Sequence, residues 1–475
     1  MNEALLQIYH RLPSPMRSWV ATARGLALRQ QRYGPETERL VQEALERERW
    51  SSVQWREWQT ERLRYILHRA VTRVPYYREY WAKRKGHGTS KQWEDLSNWP
   101  ILEKEVVRAK PRAFLAEDCI GRRLFQMHTS GTTGTPLLLW KSRDTERAWY
   151  ALFEARWRRW YGVSRQDRWA ILGGQLVTPV QQRRPPFWVW NAGLRQLYMS
   201  VYHLASDLVP HYLEALKKYR VRYLWGYTSA LYALAEEVVR SGRQDLKMTV
   251  VITNAEPVFD YQRHTIAQAF QCPVRETYGM AEAVAGASEC ECGRLHLWPE
   301  AGVLEVVEDG QAVSPGAIGD FVCTGLVNGD MPLIRYRVGD RGALAGRDEE
   351  CPCQRTLPLL ACVEGRCDDV ILTPDGRRVG RLDPVFKLGL PIREAQIIQE
   401  AVDKIRVRVV PTSGYGTADA ADIADRIQQR LGNGVVVEVE AVVAIERTRA
   451  GKFKAVVNHL PASEKGRVAS PLEES

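Results

Sequence analysis

Two stretches near the start of the chain, residues 36–50 and 55–71, place apolar side chains at helical spacing between charges, which predicts two helices. Ahead of them, Leu5, Leu6, Ile8 and Tyr9, then Trp19, Val20, Leu26 and Leu28 among arginines, pattern the first thirty residues as a basic amphipathic helix. Packing of that helix on its own domain is the favoured reading over contact with a membrane surface. Tyr76, Tyr77, Tyr80 and Trp81 follow Pro75 and read as the core of a helical lid, and residues 98–104 as a turn entering a helix. A longer helix, rich in Trp and Arg, is predicted over 144–161. The period then changes. Residues 168–174 form an apolar run that ends in Gly173-Gly174, and 223–227, 248–254 and 273–279 repeat that design, with helical runs 210–219, 229–241 and 260–270 between them. This alternation predicts parallel α/β layers with ligands at the carboxyl ends of the strands. From Val303 onward, short strands at 302–307, 319–324 and 333–338 predict a β-rich subdomain. A third unit of alternating β and α segments opens near Gly365 and runs to about Leu460. The expected organisation is an α/β fold: a helical region 1–85, a layered core with the β-rich subdomain at 86–365, a small α+β domain at 366–460 and a disordered tail at 461–475.

Composition narrows the class. A chain of 475 residues is too long for one ordinary core, and 45% hydrophobic with 26% charged residues excludes disordered and fibrous proteins. The formal charge of +10 suits anionic ligands, nucleotides and thioester cofactors among them, or anionic surfaces. Because the basic residues are interleaved with 57 acidic ones, nucleic acid is not singled out as a partner. No run approaches eighteen apolar residues, so no membrane span is expected, weak peripheral contact aside. The start lacks the basic-then-apolar pattern of an export signal, so a cytoplasmic location is expected.

The densest chemistry lies in His128-Thr129-Ser130-Gly131-Thr132-Thr133-Gly134-Thr135-Pro136, where five hydroxyl side chains and two glycines fill residues 129–135. Glycine lets backbone N–H groups turn toward an anion, and hydroxyls add donors that need no charge, so this reads as a phosphate cradle. It lacks the lysine of a Walker A loop, and an apolar strand-like run follows it instead of a helix. A Ser/Thr/Gly-rich surface hairpin is the competing reading. Nine cysteines include two C-x-C pairs, Cys290/Cys292 and Cys351/Cys353, and soft ligands in two short clusters read as a tetrahedral zinc site rather than disulfides. Cys119, Cys272, Cys323, Cys362 and Cys367 read as packing residues.

Further motifs follow in order: Asn254-Ala255-Glu256-Pro257, Thr277-Tyr278-Gly279-Met280-Ala281-Glu282, Arg335-Tyr336-Arg337-Val338-Gly339-Asp340, Gly365-Arg366-Cys367-Asp368-Asp369 and Arg449-Ala450-Gly451-Lys452. With the loop, their order and spacing resemble the adenylate-forming superfamily of acyl-CoA synthetases, luciferases and peptide-synthetase adenylation domains. Within it the chain is most similar to the phenylacetate–CoA ligase branch and its capsule-biosynthesis relatives. The flanks Pro100-Ile101-Leu102-Glu103-Lys104, Leu295-His296-Leu297 and Met331-Pro332 also match, and the likeness runs over about 60–458. It implies the adenylate-forming fold with a mobile C-terminal domain. It also implies a two-step reaction: a carboxylic acid, aryl or arylalkyl, reacts with ATP to give acyl-adenylate and pyrophosphate, and CoA then takes the acyl group and releases AMP.

The resemblance also implies roles. Thr129, Ser130, Gly131, Thr132, Thr133 and Gly134 would hold the phosphates, with Thr129, Glu282 and Lys452 as the catalytic group. Glu282 would hold Mg²⁺, which prefers oxygen ligands. Tyr278 would offer its face to adenine, in a pocket lined by Asn254, Ala255, Glu256, Pro257, Thr277 and Gly279. Asp340 would take the ribose diol with Arg366 in support. Lys452, with Lys454 as fallback, would reach the α-phosphate when the C-terminal unit turns about a hinge at Asp368. For the metal, relatives with a histidine six residues after a cysteine add a second candidate set. The zinc ligands are then either Cys290, Cys292, Cys351 and Cys353, narrowly preferred, or Cys290, His296, Cys351 and Cys353.

Plainer readings stand beside these: Glu282 as a solvated helix-start carboxylate, Asp340 as a turn cap, Lys452 as a surface lysine. The chain departs from the family pattern at Thr135, where many members carry lysine, and at Ala281, where Ser or Thr is frequent. The wealth of Trp and Arg between Tyr150 and Trp190 is expected to shape an acyl pocket for an aromatic or polar acid. Two alternatives keep their place. One is acyl transfer to an amine or hydroxyl in polysaccharide or conjugate biosynthesis, and the other is a catalytically weak scaffold in an envelope-biosynthesis complex.

Overall fold

The computed structural model of the chain describes residues 3–84, 92–119, 124–128, 137–205, 207–256, 258, 260–346, 349–363, 371–379, 382–386, 390–432, 434–446 and 456–460. The N-terminal helix expected from the pattern is two helices, α1 (Glu3–Arg11) and α2 (Ser14–Arg32), because Pro13 and Pro15 interrupt the backbone ladder between them. There follow α3 (Thr37–Glu46), α4 (Ser52–Arg73), α5 (Pro75–Arg84) and α6 (Lys104–Ala109). Ser51 and Gln54 close α4 with a capping box. On α5, Tyr77 and Trp81 are buried as expected, and the Tyr77 hydroxyl donates to the Pro332 carbonyl (3.1 Å). The hairpin β1 (Phe125–His128) and β2 (Leu138–Lys141) leads into α7 (Arg143–Phe153), capped by Ser142. The helix expected over 144–161 does not run through in one form. After Phe153 it widens into a π turn, Glu154–Arg158, whose five residues are all buried.

Next come β3 (Trp169–Gly173), β4 (Trp188–Asn191), β5 (Gln196–Ser200), α8 (Val209–Lys218), β6 (Tyr223–Tyr227), α9 (Thr228–Arg240), β7 (Val250–Asn254), α10 (Asp260–Phe270) and β8 (Val274–Gly279). The series continues with β9 (Gly286–Glu289), β10 (Leu295–Leu297), β11 (Gly302–Glu308), β12 (Gln311–Ala312), β13 (Gly319–Gly325), β14 (Tyr336–Leu344) and β15 (Leu359–Val363). All thirteen from β3 to β15 belong to one sheet, in the order β12-β11-β13-β14-β15-β10-β9-β8-β7-β6-β3-β5-β4. Strands β5, β3, β6, β7 and β8 are parallel, with β6, β7 and β8 each reached over a helix, as the alternation predicts. The β-rich part is not a separate sheet. Its β15 pairs with β10, and the antiparallel β10–β9 and β9–β8 pairs carry the sheet on to the parallel strands. The strand expected at 333–338 begins only at Tyr336, because Arg335 takes a left-handed φ of 47°. Leu102 bridges the break: its N–H donates to the Arg335 carbonyl (2.8 Å), and its carbonyl accepts from Arg337 N–H (3.0 Å).

The C-terminal part comprises the small hairpin β16 (Ile371–Leu372) and β17 (Arg378–Val379), then β18 (Ile392–Ala401), β19 (Lys404–Pro411), α11 (Thr417–Leu431), β20 (Val436–Ala441) and β21 (Val456–Asn458). The last four strands form a sheet ordered β20-β19-β18-β21. Arg377, fully buried, clasps this part to the large sheet. Its guanidinium donates to the carbonyls of Tyr202, Arg430 and Leu431. One apolar core runs from Ala170 and Leu224 through Leu234 to Val379, Ile405 and Ile427.

Helix α2 packs on its own domain, the favoured expectation. Arg17 is buried against Thr178 and Gln182, and the backbones of α2 and of Gly193, just after β4, approach so closely that a Cβ on Gly193 would lie 2.5 Å from Leu26 N. Even so, Trp19 stays 79% exposed and Ile8 58%. Among the described residues no helix is long and apolar enough to cross a membrane.

Candidate active site and metal centre

The carboxyl ends of β7 and β8 carry the first cluster. Asn254 closes β7. With its amide turned to satisfy both neighbours, it donates to the Gly226 carbonyl (2.9 Å) and accepts from Trp225 Nε1 (3.3 Å). Ala255, next in the chain, holds a left-handed φ of 65°, and the Glu256 carbonyl accepts from Thr228 Oγ1 (3.3 Å). A non-glycine residue held left-handed at a strand end is the kind of strain that clusters at functional turns. Thr277 fixes β8 to β7 by donating to the Thr253 carbonyl (2.7 Å). Tyr278 donates its hydroxyl to Asp340 Oδ2 (2.9 Å), its ring edge-on to Phe321 at 5.9 Å. Gly279 is followed closely by Trp157, which the π turn brings within 3.8 Å of where a Cβ would stand.

Glu282 is buried and ionised. Its Oε1 accepts from the Tyr336 hydroxyl (3.0 Å) and pairs with Lys104 Nζ (3.2 Å). Burial alone would push this carboxyl up. The Lys104 ammonium and the hydrogen bonds outweigh it and hold the group below its ordinary value. Lys141, at the end of β2, is buried too and donates to the Ala281 carbonyl (3.0 Å). Burial pulls its ammonium down, against the opposing charges of Glu146 and Glu282. Segments around 104, 141, 278–282 and 336–340 therefore meet in one place, with a fixed carboxylate between two lysines.

The second cluster lies where the β9–β10 hairpin meets the loop before β15. One ligand atom from each of Cys290, His296, Cys351 and Cys353 lies within 4.8 Å of all the others. Cys290 Sγ is 3.6 Å from Cys351 Sγ, and Cys353 Sγ is 3.3 Å from His296 Nε2. Tetrahedral zinc with bonds of about 2.3 Å to sulfur sets sulfur atoms roughly 3.7 Å apart, so the spacing fits. The other imidazole nitrogen, Nδ1, faces the Leu357 carbonyl at 3.1 Å, which orients the ring as metal-binding histidines require. Burial pulls His296 down to about 4, leaving a neutral imidazole, and pushes Cys351 up to about 12, so binding would have to displace its proton. The preferred four-cysteine set is not the one gathered. Cys292 sits exposed in the hairpin turn, where Gly293 is left-handed (φ 76°) and Cys290 N–H donates to the Arg294 carbonyl (2.8 Å), so the turn carries it away from the group. The histidine-containing set is the one brought together.

Of the remaining cysteines, Cys119 and Cys323 are buried and Cys272 is half-buried, as packing residues should be. Cys362, on β15, is exposed instead, because strand residues alternate faces. Cys367 lies outside the described residues. So do Thr129, Ser130, Gly131, Thr132, Thr133, Gly134, Pro257, Arg366, Asp368 and Lys452. Sequence reasoning missed Lys104, Lys141, Tyr336 and Trp157 as neighbours of these groups. The one signal for Lys141 is a charge that closes the apolar run 137–140.

Residues 57–326 match the family model described as AMP-binding enzyme, and 371–459 match the CapK C-terminal domain. The chain belongs to the AMP-binding enzymes. This AMP-binding enzyme is 26% identical over 404 residues to the protein CapK of Staphylococcus aureus, covering 81% of this chain and 85% of that one. It is 24% identical over 443 residues to a phenylacetate-coenzyme A ligase of Aromatoleum evansii, covering 87% and 96%. Among solved structures, 2-hydroxyisobutyryl-CoA ligase in its thioesterification state superposes with a TM-score of 0.56 at 21% identity, covering 89% of this chain and 94% of that one. At that identity the likeness speaks for the fold.

Proposed function

We propose that this AMP-binding enzyme activates a carboxylic acid with ATP as an acyl-adenylate and passes the acyl group to CoA. The observation that carries the reading is the meeting of Tyr278, Asp340 and the buried, ionised Glu282 at the carboxyl ends of the parallel strands, in a chain of this family. Its curated phenylacetate-coenzyme A ligase relatives support CoA as acceptor. Tyr278 presents a flat face beside Asn254 and Ala255 for adenine. Asp340, held by the Tyr278 hydroxyl, offers a carboxylate to the ribose diol. Glu282 is the residue that would hold Mg²⁺, since a hard divalent cation requires an ionised oxygen donor, and Mg²⁺ supplies charge neutralisation on the phosphates. Residues 129–134 are the phosphate loop and Lys452 the lysine that meets the α-phosphate. A C-terminal unit from 366 to 460, turning near Asp368, delivers that lysine, with Arg366 beside the ribose and Pro257 in the adenine turn. Cys290, His296, Cys351 and Cys353 hold a structural zinc, and the enzyme acts in the cytoplasm.

The test is pyrophosphate release across a panel of carboxylic acids, with and without CoA. Acid-dependent ATP–pyrophosphate exchange without CoA, and thioester only with CoA, is the expected result. Release of AMP that needs an amine or hydroxyl acceptor instead of CoA would move the second step to those acceptors. Calorimetry that finds no ATP binding would end the proposal.

A further inference from the structure

A cavity of about 630 Å³ lies between α2 and the large sheet, lined by Trp169, Val189 and Tyr198 of β3, β4 and β5 among others. Trp225 of β6 and His128, which ends β1, line it too, and Trp225 is the residue that hydrogen-bonds Asn254. The space therefore adjoins the candidate nucleotide site. Trp169 and Trp225 stack on one another at 5.6 Å, giving it a flat aromatic wall. Its volume is several times that of a single aromatic ring, since about 150 Å³ is enough to hold benzene.

The charge of the lining is one-sided. Seven arginines line the cavity, and among the described residues no carboxylate does. Arg32, Arg158 and Arg165 are answered from behind by Glu146 and Glu154. Arg24, Arg29, Arg195 and Arg430 pair with no carboxylate among the described residues. The Arg24 charge acts on the Tyr9 and Tyr198 hydroxyls, both of which line the cavity. Arg430, contributed by α11, is 7% exposed. Its Nη1 donates to the Arg426 carbonyl (2.8 Å), while its buried Nε finds no partner among the described residues. A buried guanidinium N–H without an acceptor, in a cavity walled by aromatic rings and uncompensated arginines, is a site built for an anion that arrives with its ligand.

We propose that this cavity receives the body of the acid to be activated, and that the acid carries a second anionic group, a carboxylate, sulfate or phosphate ester, which Arg24 and Arg29 meet. This rests on the activation reading above and narrows its substrate class from simple aryl acids to elongated, doubly anionic ones. Matched acids that differ only in a distal neutral, carboxylate, sulfate or phosphate group test it by pyrophosphate release. The doubly anionic member should show a KM at least about tenfold lower, the scale of one charge-assisted hydrogen bond, and the identity of the best distal group names the anion. In the Arg24→Gln/Arg29→Gln variant, exposed on α2, that ratio should collapse to within about twofold, and salt should shrink it in the parent enzyme. Equal KM values for the neutral and anionic members, or a ratio the variant leaves intact, would overturn the proposal. If no acid drives pyrophosphate release, the activation reading has failed, and calorimetry with the same acids alone decides the cavity. Binding about tenfold weaker in the variant upholds it, and no binding to the parent enzyme overturns it.

Discussion

Glu282 accepts two side-chain hydrogen bonds on one oxygen while almost wholly shielded from water, so its charge persists through the Lys104 ammonium, a backbone N–H and the Tyr336 hydroxyl. Glu282→Gln should lower acid-dependent pyrophosphate release by about a hundredfold, the usual effect of removing one fixed charge from a reacting centre. Raised magnesium should restore part of the loss, and a rate within twofold of the parent would count against the role. A second acid behaves in the opposite way. Burial and the neighbouring Glu289 charge push Glu276 up to about 7 from an ordinary 4.5, with Arg263 opposing. A carboxyl raised by folding stabilises the protein fully below its unfolded value and loses that contribution as pH climbs through the folded one. The melting midpoint should therefore fall between about pH 5 and pH 7.5 relative to Glu276→Gln. Parallel curves for the two proteins over that window would refute it. Single residues were also where the sequence said least. The C-x-C spacing points to Cys292 and the six-residue offset to His296, the left-handed Gly293 makes the choice, and nothing gives Lys104 a role until the turn after β8 places Glu282 beside it.

At the scale of elements, the hairpin β9–β10 is tied to the loop at 351–353 by the Cys–His group. The expected metal content is roughly one zinc per chain, retained in Cys292→Ser and lost in Cys351→Ser or His296→Ala. Elemental analysis checks it, and loss of zinc in Cys292→Ser would restore the four-cysteine set. The α2 contact is equally specific. In Gly193→Ala the new methyl meets helix backbone, which has no rotamer to move, so the expected cost is about 1–3 kcal/mol in urea unfolding, with earlier proteolysis of α1 and α2. An unchanged midpoint would contradict this. Elements were also where the sequence spoke most clearly. The parallel strands β3, β6, β7 and β8 and the helices between them fall where the apolar runs and turn residues put them, because a strand buried on both faces leaves a continuous apolar signature, whereas the parallel β5 was not foreseen. The exceptions have local causes: the prolines that split α1 from α2, the π turn after Phe153, and the left-handed Arg335 that delays β14.

For the molecule as a whole, the activation reading divides the reaction between two parts of the chain. Lys452→Ala should abolish adenylation by a hundredfold or more while leaving CoA capture from a preformed acyl-adenylate nearly intact. Equal loss in both half-reactions would count against the mobile cap. What no one-dimensional pattern disclosed was how the large parts join. The change from helix-strand alternation to short strands near Val303 reads as a boundary, yet hydrogen bonds between β10 and β15 carry the sheet straight across it. A ladder without a seam gives heat no place to start separating the two halves. Calorimetry should record one cooperative endotherm for that sheet, its van't Hoff and measured enthalpies in agreement, and the adenine-side strands should exchange their amide protons no sooner than the metal-side ones.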